Sequence, residues 1–329
     1  MGLPPLAYRG PSLRMKVLIT GASGRVGRNL VEEGRARGWE LRLLQRGVDQ
    51  PLPDAGTGVE LLQGSVANLA DVRSAVAGAD VVCHLAALMP PADNVELFET
   101  NVRGTFNIVE AMRASAPSPR LIFASTDATY GTGHSERRYP EPIDESVPPQ
   151  PTNVYGGTKV ACERIVADCC RLYGLDYLIL RYCWVFHARE VLELFSIETW
   201  AEFMPEPERD ELARLDPEPV PVLFDADDNP FSDHIVDARD AARATARAIE
   251  AADVSGEAIN VCGPEAFRYL DVSPAVAEVL GRPLAEIRLP TFHAYSLDTR
   301  KAERLLGYRG SFDVSMMVEE ALAAREWAP

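Results

Sequence analysis

The chain has 329 residues, 47% of them hydrophobic, with 33 basic against 49 acidic side chains and a formal net charge of −16. Its length allows about two domain-sized units with an ample core, and no apolar run approaches the roughly 18 residues of a membrane span. The negative balance argues against a nucleic acid or an anionic membrane surface as partner.

Residues 1–14 carry three prolines and no periodicity, so they read as a disordered tail without the charged-then-apolar pattern of a leader. Lys16-Val-Leu-Ile-Thr20 is a short apolar, β-branched run, as a buried parallel strand requires. Glycines at 21, 24 and 27 follow, and then a helix through Arg28-Asn-Leu-Val-Glu-Glu. Gly21 permits a tight turn, Gly24 lets the backbone approach a pyrophosphate, and Gly27 lets helix and strand pack closely. With Ser23, Arg25 and Val26 in the same turn, this is a candidate dinucleotide cofactor site. The next strand, 40–44, should end on the residue that reads the adenosine ribose. NAD calls for an acid there, whereas the 2′-phosphate of NADP calls for an arginine. The chain offers Gln45 and Arg46. This favours NADP and leaves NAD as the alternative.

Further strands are expected near 58–62, 80–84, 120–125 and 177–181, with amphipathic helices at about 94–115 and 153–173. Repeated β-α-β order implies an α/β fold with a doubly wound parallel (Rossmann) sheet, whose strand-end loops face one crevice. Ser65 and Val66 follow the third strand, Leu85, Ala86 and Ala87 the fourth, and Ser125, Thr126 and Asp127 the fifth. Asp127 is better read as an acceptor of loop N–H groups, with a role as an acid the alternative.

Tyr155 and Lys159, one helical turn apart, share a face. A free tyrosine, with a pKa of about 10, is a poor base near neutral pH. A fixed cation beside it favours the phenolate and moves it towards the working range. The pair suits moving a proton on or off an alcohol oxygen while hydride leaves or joins the same carbon. Alone it could be a solvated helix surface; the glycine turn upstream is what makes it a candidate site.

Beyond Arg181 the strand-helix rhythm breaks. Residues 186–231 are rich in proline and hold thirteen acids against three arginines, and they read as an inserted lid. Gly256-Glu-Ala-Ile-Asn260-Val returns to a strand, and the tail from about 265 looks mainly helical. The expected organisation is a dinucleotide-binding domain at 15–185 plus 232–264, and a smaller, discontinuous C-terminal substrate-binding domain and lid at 186–231 plus 265–329. The six cysteines lack paired spacing and read as reduced thiols of a cytoplasmic protein. The five scattered histidines give no ligand spacing, so no metal site is expected.

The chain resembles the extended short-chain dehydrogenase/reductases, the NAD-dependent epimerase/dehydratase group, over about residues 15 to 310. The resemblance rests on Thr20-Gly-Ala-Ser-Gly-Arg-Val-Gly27, His84-Leu-Ala-Ala87, Asn101-Val-Arg-Gly-Thr105, Ser125-Thr-Asp-Ala-Thr-Tyr-Gly131, Tyr155-x-x-x-Lys159, Leu180-Arg-Tyr-Cys-Trp-Val185 and Leu297-Asp-Thr-Arg-Lys-Ala302. It implies that Tyr155 is the acid/base, that Lys159 holds the nicotinamide ribose and lowers the Tyr155 pKa, and that Thr126 binds the substrate oxygen. It also implies that Asn101 and the Ala86-Ala87 backbone line the cofactor groove, although a helix N-cap accounts for Asn101 equally well.

Departures from that pattern narrow the chemistry. Ser65 stands where the family places an acid near the adenine. Thr126-Asp127-Ala128 lacks the glutamate of the sugar-nucleotide 4,6-dehydratases, which disfavours elimination. Trp184 replaces an asparagine common in sugar-nucleotide epimerases, and Ser232-Asp233-His234-Ile235 lacks their diphosphate-binding arginine. The expected function is an NAD(P)-dependent oxidoreductase acting at a secondary alcohol or ketone carbon of a polyhydroxylated, sugar-like substrate, with Ser125, Thr126, Asp127, Tyr155 and Trp184 around it. A 4-epimerase on the same constellation is the alternative, and a non-catalytic dinucleotide sensor the more distant one. The helices near 94–115 and 153–173 are apolar over more than one stripe, and the resemblance implies that they pair with their copies in a homodimer.

Overall fold

The computed structural model describes residues 14–47, 58–132, 142–212 and 214–326; the expected tail 1–14 lies outside these, Arg14 apart. Runs of leucine, isoleucine and valine form the strands where the sequence pattern places them. They are β1 (Lys16–Thr20), β2 (Glu40–Gln45), β3 (Val59–Gln63), β4 (Val81–His84), β5 (Arg120–Thr126) and β6 (Tyr177–Tyr182). β7 (Trp184–Phe186), β8 (Val220–Phe224), β9 (Ser232–Asp233), β10 (Ile235–Asp237) and β11 (Glu257–Val261) follow, then β12 (Phe267–Arg268) and β13 (Leu284–Arg288). Seven of them make one parallel sheet in the order β11-β6-β5-β4-β1-β2-β3. The order reverses at β1, with β4 on one side and β2 on the other, so the crevice of a doubly wound sheet opens at the carboxyl end of β1.

Alternate residues of the strands serve two cores. Val17, Ile19, Leu41 and Leu43 face helices α1 (Arg25–Ala36) and α8 (Ala238–Glu250). Leu18, Leu44, Val82 and Phe123 face α2 (Leu69–Val76), α4 (Gly104–Arg113) and α5 (Val154–Tyr173). Each such side chain, removed from water, contributes about 1.5–3 kcal/mol. The expected helix at 94–115 forms as three pieces. A short α3 (Asn94–Leu97) runs into a π-helical turn, Phe98–Arg103, and then into α4. The turn carries Asn101, and π-turns inside helices concentrate at functional sites.

A third core gathers residues from 186–235 and 267–321 around an aromatic cluster of Trp200, Phe231, Tyr269 and Phe292. It includes α6 (Ile197–Trp200), α9 (Tyr269–Leu280) and α11 (Val314–Glu326), with α7 (Glu206–Leu212) at its margin, whereas α10 (Arg300–Leu306) packs into the first core through Ala302 and Leu306. The tail is not purely helical: β13 pairs in parallel with β8, 60 or so residues earlier. Only Ile287 of β13 is buried, so the strand has no apolar alternation by which its sequence could announce it.

Candidate active site

The glycine turn has the shape that a dinucleotide requires. Gly21 sits at φ 75°, and a Cβ there would come within 2.7 Å of the Ala86 nitrogen and 2.8 Å of the Leu85 carbonyl carbon. A Cβ on Gly27 would overlap the Gly21 carbonyl oxygen and lie 2.7 Å from Ala22 Cα, so α1 starts directly on the turn. No side chain caps α1, and its first turn holds no acid, which leaves its N–H groups for an anion. Gly24 is exposed there, and Ser23, Val26 and Arg25 are half-buried. Arg25 does not point free into the groove. Its Nε donates to Glu190 at 2.6 Å and its guanidinium stacks over Phe186, joining the glycine turn to the 188–195 segment. At the end of β2, Gln45 Oε1 is buried without a partner among the described residues, and the next residue, Arg46, is exposed. Ser65 and Val66 close the end of β3. The Ser65 N–H donates to Asp71, while Val66 is buried and its carbonyl accepts from Asn107. These residues fit a dinucleotide: a cradle that any side chain would fill, an uncapped helix start, and an unsatisfied amide where a ribose would lie.

The floor of the crevice is a fixed polar network. Thr105 Oγ1 donates to the Asn101 carbonyl, so it must accept from His84 Nε2, and His84 Nδ1 then accepts from Thr20. Burial, with the Lys159 charge nearby, pushes this imidazole down to about 3, and it stays neutral. Thr20 Oγ1 in turn accepts from the Ala86 N–H, while Leu85 N–H donates to the Thr20 carbonyl. Asn101 is not a helix N-cap. It lies inside the π-turn, where its amide bonds both the N–H and the carbonyl of Leu88 and also Thr158 Oγ1. It therefore pins the loop that follows Ala87 to α5.

Thr126, Tyr155 and Lys159 meet where α5 begins. Asn153 caps the helix by accepting from the Gly156 N–H at 2.8 Å. A Cβ on Gly156 would sit 2.6 Å from the Ala128 carbonyl oxygen, so this glycine lets the first turn of α5 lie against the turn at 127–129. This sets the Tyr155 hydroxyl near the Thr126 side chain at the end of β5. Thr126 Oγ1 also accepts from the Ala128 N–H and donates to Asp127. Lys159 is buried one turn on, with Nζ donating to the Ala124 carbonyl at 2.5 Å and lying 4.8 Å above the Phe123 ring. Burial lowers this ammonium. Burial and the Asp127 charge push the Tyr155 phenol well up, and Lys159 is not among the groups that lower it here.

Two expected substrate contacts are placed differently. Ser125 is buried, and its hydroxyl donates to Glu163 at 2.5 Å, away from Tyr155. Asp127 is buried too, accepting from Thr126, Thr132 and Tyr295, and burial pushes its carboxyl up to about 6. Trp184 is 42% exposed beside Phe186 and Trp200. The sequence reading missed Asp233, Tyr295 and the buried Glu163–Arg181 pair. Arg181 carried a signal, since a charge within the apolar run Tyr177–Tyr182 must be paired. Asp225, Asp227 and His293 bring ligand-type atoms within 4.8 Å of one another, but Asp225 is engaged by the N–H groups of Asp227 and Asn229, as in a capped turn.

The sequence profile of the NAD dependent epimerase/dehydratase family matches residues 17–262. A UDP-glucose 4-epimerase of Halalkalibacterium halodurans is 34% identical over 178 residues, 51% of this chain and 50% of that protein, so this match spans about half of the relative's length. A UDP-glucose 4-epimerase of Lacticaseibacillus casei is 25% identical over 93% of this chain and 96% of its own. Among solved structures, a short-chain dehydrogenase/reductase superfamily protein from Agrobacterium tumefaciens with bound NAD superposes with a TM-score of 0.81. It is 28% identical and covers 94% of this chain and 97% of its own. No helix among the described residues is long and apolar enough to cross a membrane.

Proposed function

The chain belongs to the NAD dependent epimerase/dehydratase family, and on that premise we propose that it is a nicotinamide-dependent oxidoreductase acting at a secondary alcohol or ketone carbon of a sugar-like substrate. The observation that carries this reading is the first turn of α5, with Tyr155 and Lys159, packed against the end of β5 and the turn that follows it, beside the glycine turn. Tyr155 holds and moves the proton at the reacting oxygen, and Thr126 orients that oxygen. Residues 21–27 would hold the pyrophosphate, Gln45 and Arg46 the adenosine ribose, and Lys159 the nicotinamide ribose. When bound, the nicotinamide supplies hydride chemistry. The substrate sits between this edge and the third core, with Trp184 at its border. The six cysteines are all free, in keeping with a reducing, cytoplasmic setting.

Absorbance at the reduced-nicotinamide band, followed with a panel of free and nucleotide-linked sugars, tests the reading. Net change with one of them marks a dehydrogenase. Epimer formation without net change marks a 4-epimerase, the second reading, which the names of the two curated relatives favour. Neither signal with any sugar would sink both.

NADP is the favoured cofactor, with NAD as the alternative bound by the solved relative. Arg46 is exposed at the end of β2, and the strand itself ends on Gln45 and not on an acid. A charge-assisted hydrogen bond of about 1.5–3 kcal/mol predicts NADP binding roughly 10–100-fold tighter than NAD, a margin that Arg46→Ala should remove. Equal or tighter NAD binding in a fluorescence titration overturns this preference.

The chain is also proposed to pair with a second copy through the helices near 94–115 and 153–173. Val95, Phe98, Phe106 and Val154 are 68%, 53%, 46% and 48% exposed on that surface, while Ile108, Met112 and Val166 serve the chain's own core. Light scattering is expected to report a dimer that Phe98→Asp splits. A monomer at high micromolar concentration would defeat it.

A further inference from the structure

Two acidic groups lie behind Thr126 and Tyr155, and the hydroxyl of Tyr295 stands between them. Asp127, Asp233 and Tyr295 are 7%, 2% and 6% exposed. The Tyr295 oxygen is 3.0 Å from Asp233 Oδ1 and 3.3 Å from Asp127 Oδ2. A phenol has one proton and can give it to only one of these carboxyls. At the other contact two oxygens face each other, which is attractive only where the carboxyl brings a proton of its own. Among the described residues no lysine or arginine bonds either group. Asp127 meets Thr126, Thr132, the Ala128 N–H and, from α5, Tyr155. Asp233 meets the His234 N–H and, from α9, Tyr269; the Cys183 thiol after β6 faces both. The His234 ring brings no charge. Its Nδ1 accepts from the Leu297 N–H, its Nε2 donates to the Gly263 carbonyl, and burial pushes it down to about 4.

We propose that Asp127, Tyr295 and Asp233 share one extra proton, stored on Asp233, and that Asp233 and Tyr295 are positioning residues that set the proton affinity of Tyr155 through Asp127. The order follows from the donors. Two threonine hydroxyls serve Asp127, which bears the charge; a single backbone N–H serves Asp233, which bears the proton. Asp233 donates to the Tyr295 oxygen, and Tyr295 O–H donates to Asp127. Burial raises the two carboxyls in the same order, to about 6 for Asp127 and about 7 for Asp233. With the proton in place the cluster sets one negative charge near Tyr155; without it there are two, and the second holds the phenol's proton more tightly.

The inference rests on the proposed role of Tyr155, so its test has a readout that needs no substrate. Asp233→Asn keeps a donor towards Tyr295 but cannot release its proton. A carboxyl raised in the folded state binds a proton that the unfolded chain gives up. Its stabilising contribution is whole below the unfolded pKa of about 4 and is lost as pH rises through the folded value of about 7. The melting-temperature difference between Asp233→Asn and wild type should therefore shift in favour of the variant between about pH 4 and pH 8. Comparing the two proteins cancels the opposing pull of the buried, neutral His84 and His234. A difference that does not change with pH overturns the shared proton. In kinetics, kcat/KM of wild type should break near pH 7, and Asp233→Asn should keep turnover and lose the break. A break that persists in the variant overturns the link to Tyr155. If no sugar is turned over, the catalytic reading fails and the melting comparison still decides the shared proton. Carboxyl carbon-13 resonances of the wild-type protein decide it without any substitution: an aspartate titrating near pH 7 supports it, and none above about pH 5 overturns it.

Discussion

Tyr155→Phe is expected to cut turnover by about 10²–10⁴-fold while leaving dinucleotide binding intact. The substitution removes one hydroxyl and keeps the ring. What is lost is the proton at the reacting oxygen, not the groove. Because burial and Asp127 push the phenol up, the residue carries its proton at neutral pH. Ketone reduction can therefore draw on the ground state directly. Alcohol oxidation needs the phenolate and should accelerate as pH rises towards the tyrosine range, about 10. Steady-state rates in both directions over that interval check both parts. Near-native turnover in Tyr155→Phe would remove Tyr155 from the mechanism. Lys159→Ala should behave differently, losing cofactor affinity as well as rate, since the buried ammonium is held at the groove by the Ala124 carbonyl.

Arg181→Met is expected to cost about 3–5 kcal/mol of folding stability, the largest single loss outside the hydrophobic cores. Glu163 and Arg181 are both buried, with Arg181 Nε at 2.9 Å and Nη2 at 2.7 Å from the two carboxylate oxygens. Ser125 donates to the same carboxylate, and Arg181 Nη1 donates to the Tyr130 hydroxyl, which donates to Asn260. This network ties β5, β6, β11 and α5 together behind Thr126 and Tyr155. Removing the guanidinium strands a carboxylate in the interior, and that uncompensated charge is the source of the cost. Arg181→Met combined with Glu163→Leu should recover much of it, because an apolar pair of similar volume requires no compensating charge. Urea unfolding of the two variants measures the difference. A single-variant loss below about 1 kcal/mol would show that the carboxylate finds water or a proton instead.

Most of the parallel sheet is legible in the sequence. β1, β2 and β6 follow from short apolar runs, and the order of strands and helices fixes a doubly wound topology. The glycine turn was legible because its demands are local: a positive φ at Gly21, and no room for a Cβ at Gly21 or Gly27. So was the Tyr155/Lys159 pair, since helical spacing alone puts them on one face. Asn101 was only half legible. Its motif marked it, but the π-turn and the clamp on Leu88 depend on a loop thirteen residues earlier.

What the sequence could not supply is the set of partners that meet across the chain. Ser125 looked like a substrate contact by its place at the strand end, but pairing with Glu163, 38 residues on, turns it inward. Asp127 and Tyr295 meet across 168 residues, and Tyr295 and Asp233 across 62. Periodicity reports that a side chain is buried, and turn chemistry reports how the backbone bends. Neither reports which buried group will face another, because that is settled only when the third core docks against the end of the sheet. By itself the sequence determined the glycine turn, the shared helix face of Tyr155 and Lys159, and the sheet that carries them. The tertiary structure alone decided the proton affinity around that pair, because burial and distant charges, not neighbours in the chain, determine which carboxyls and phenols keep their protons.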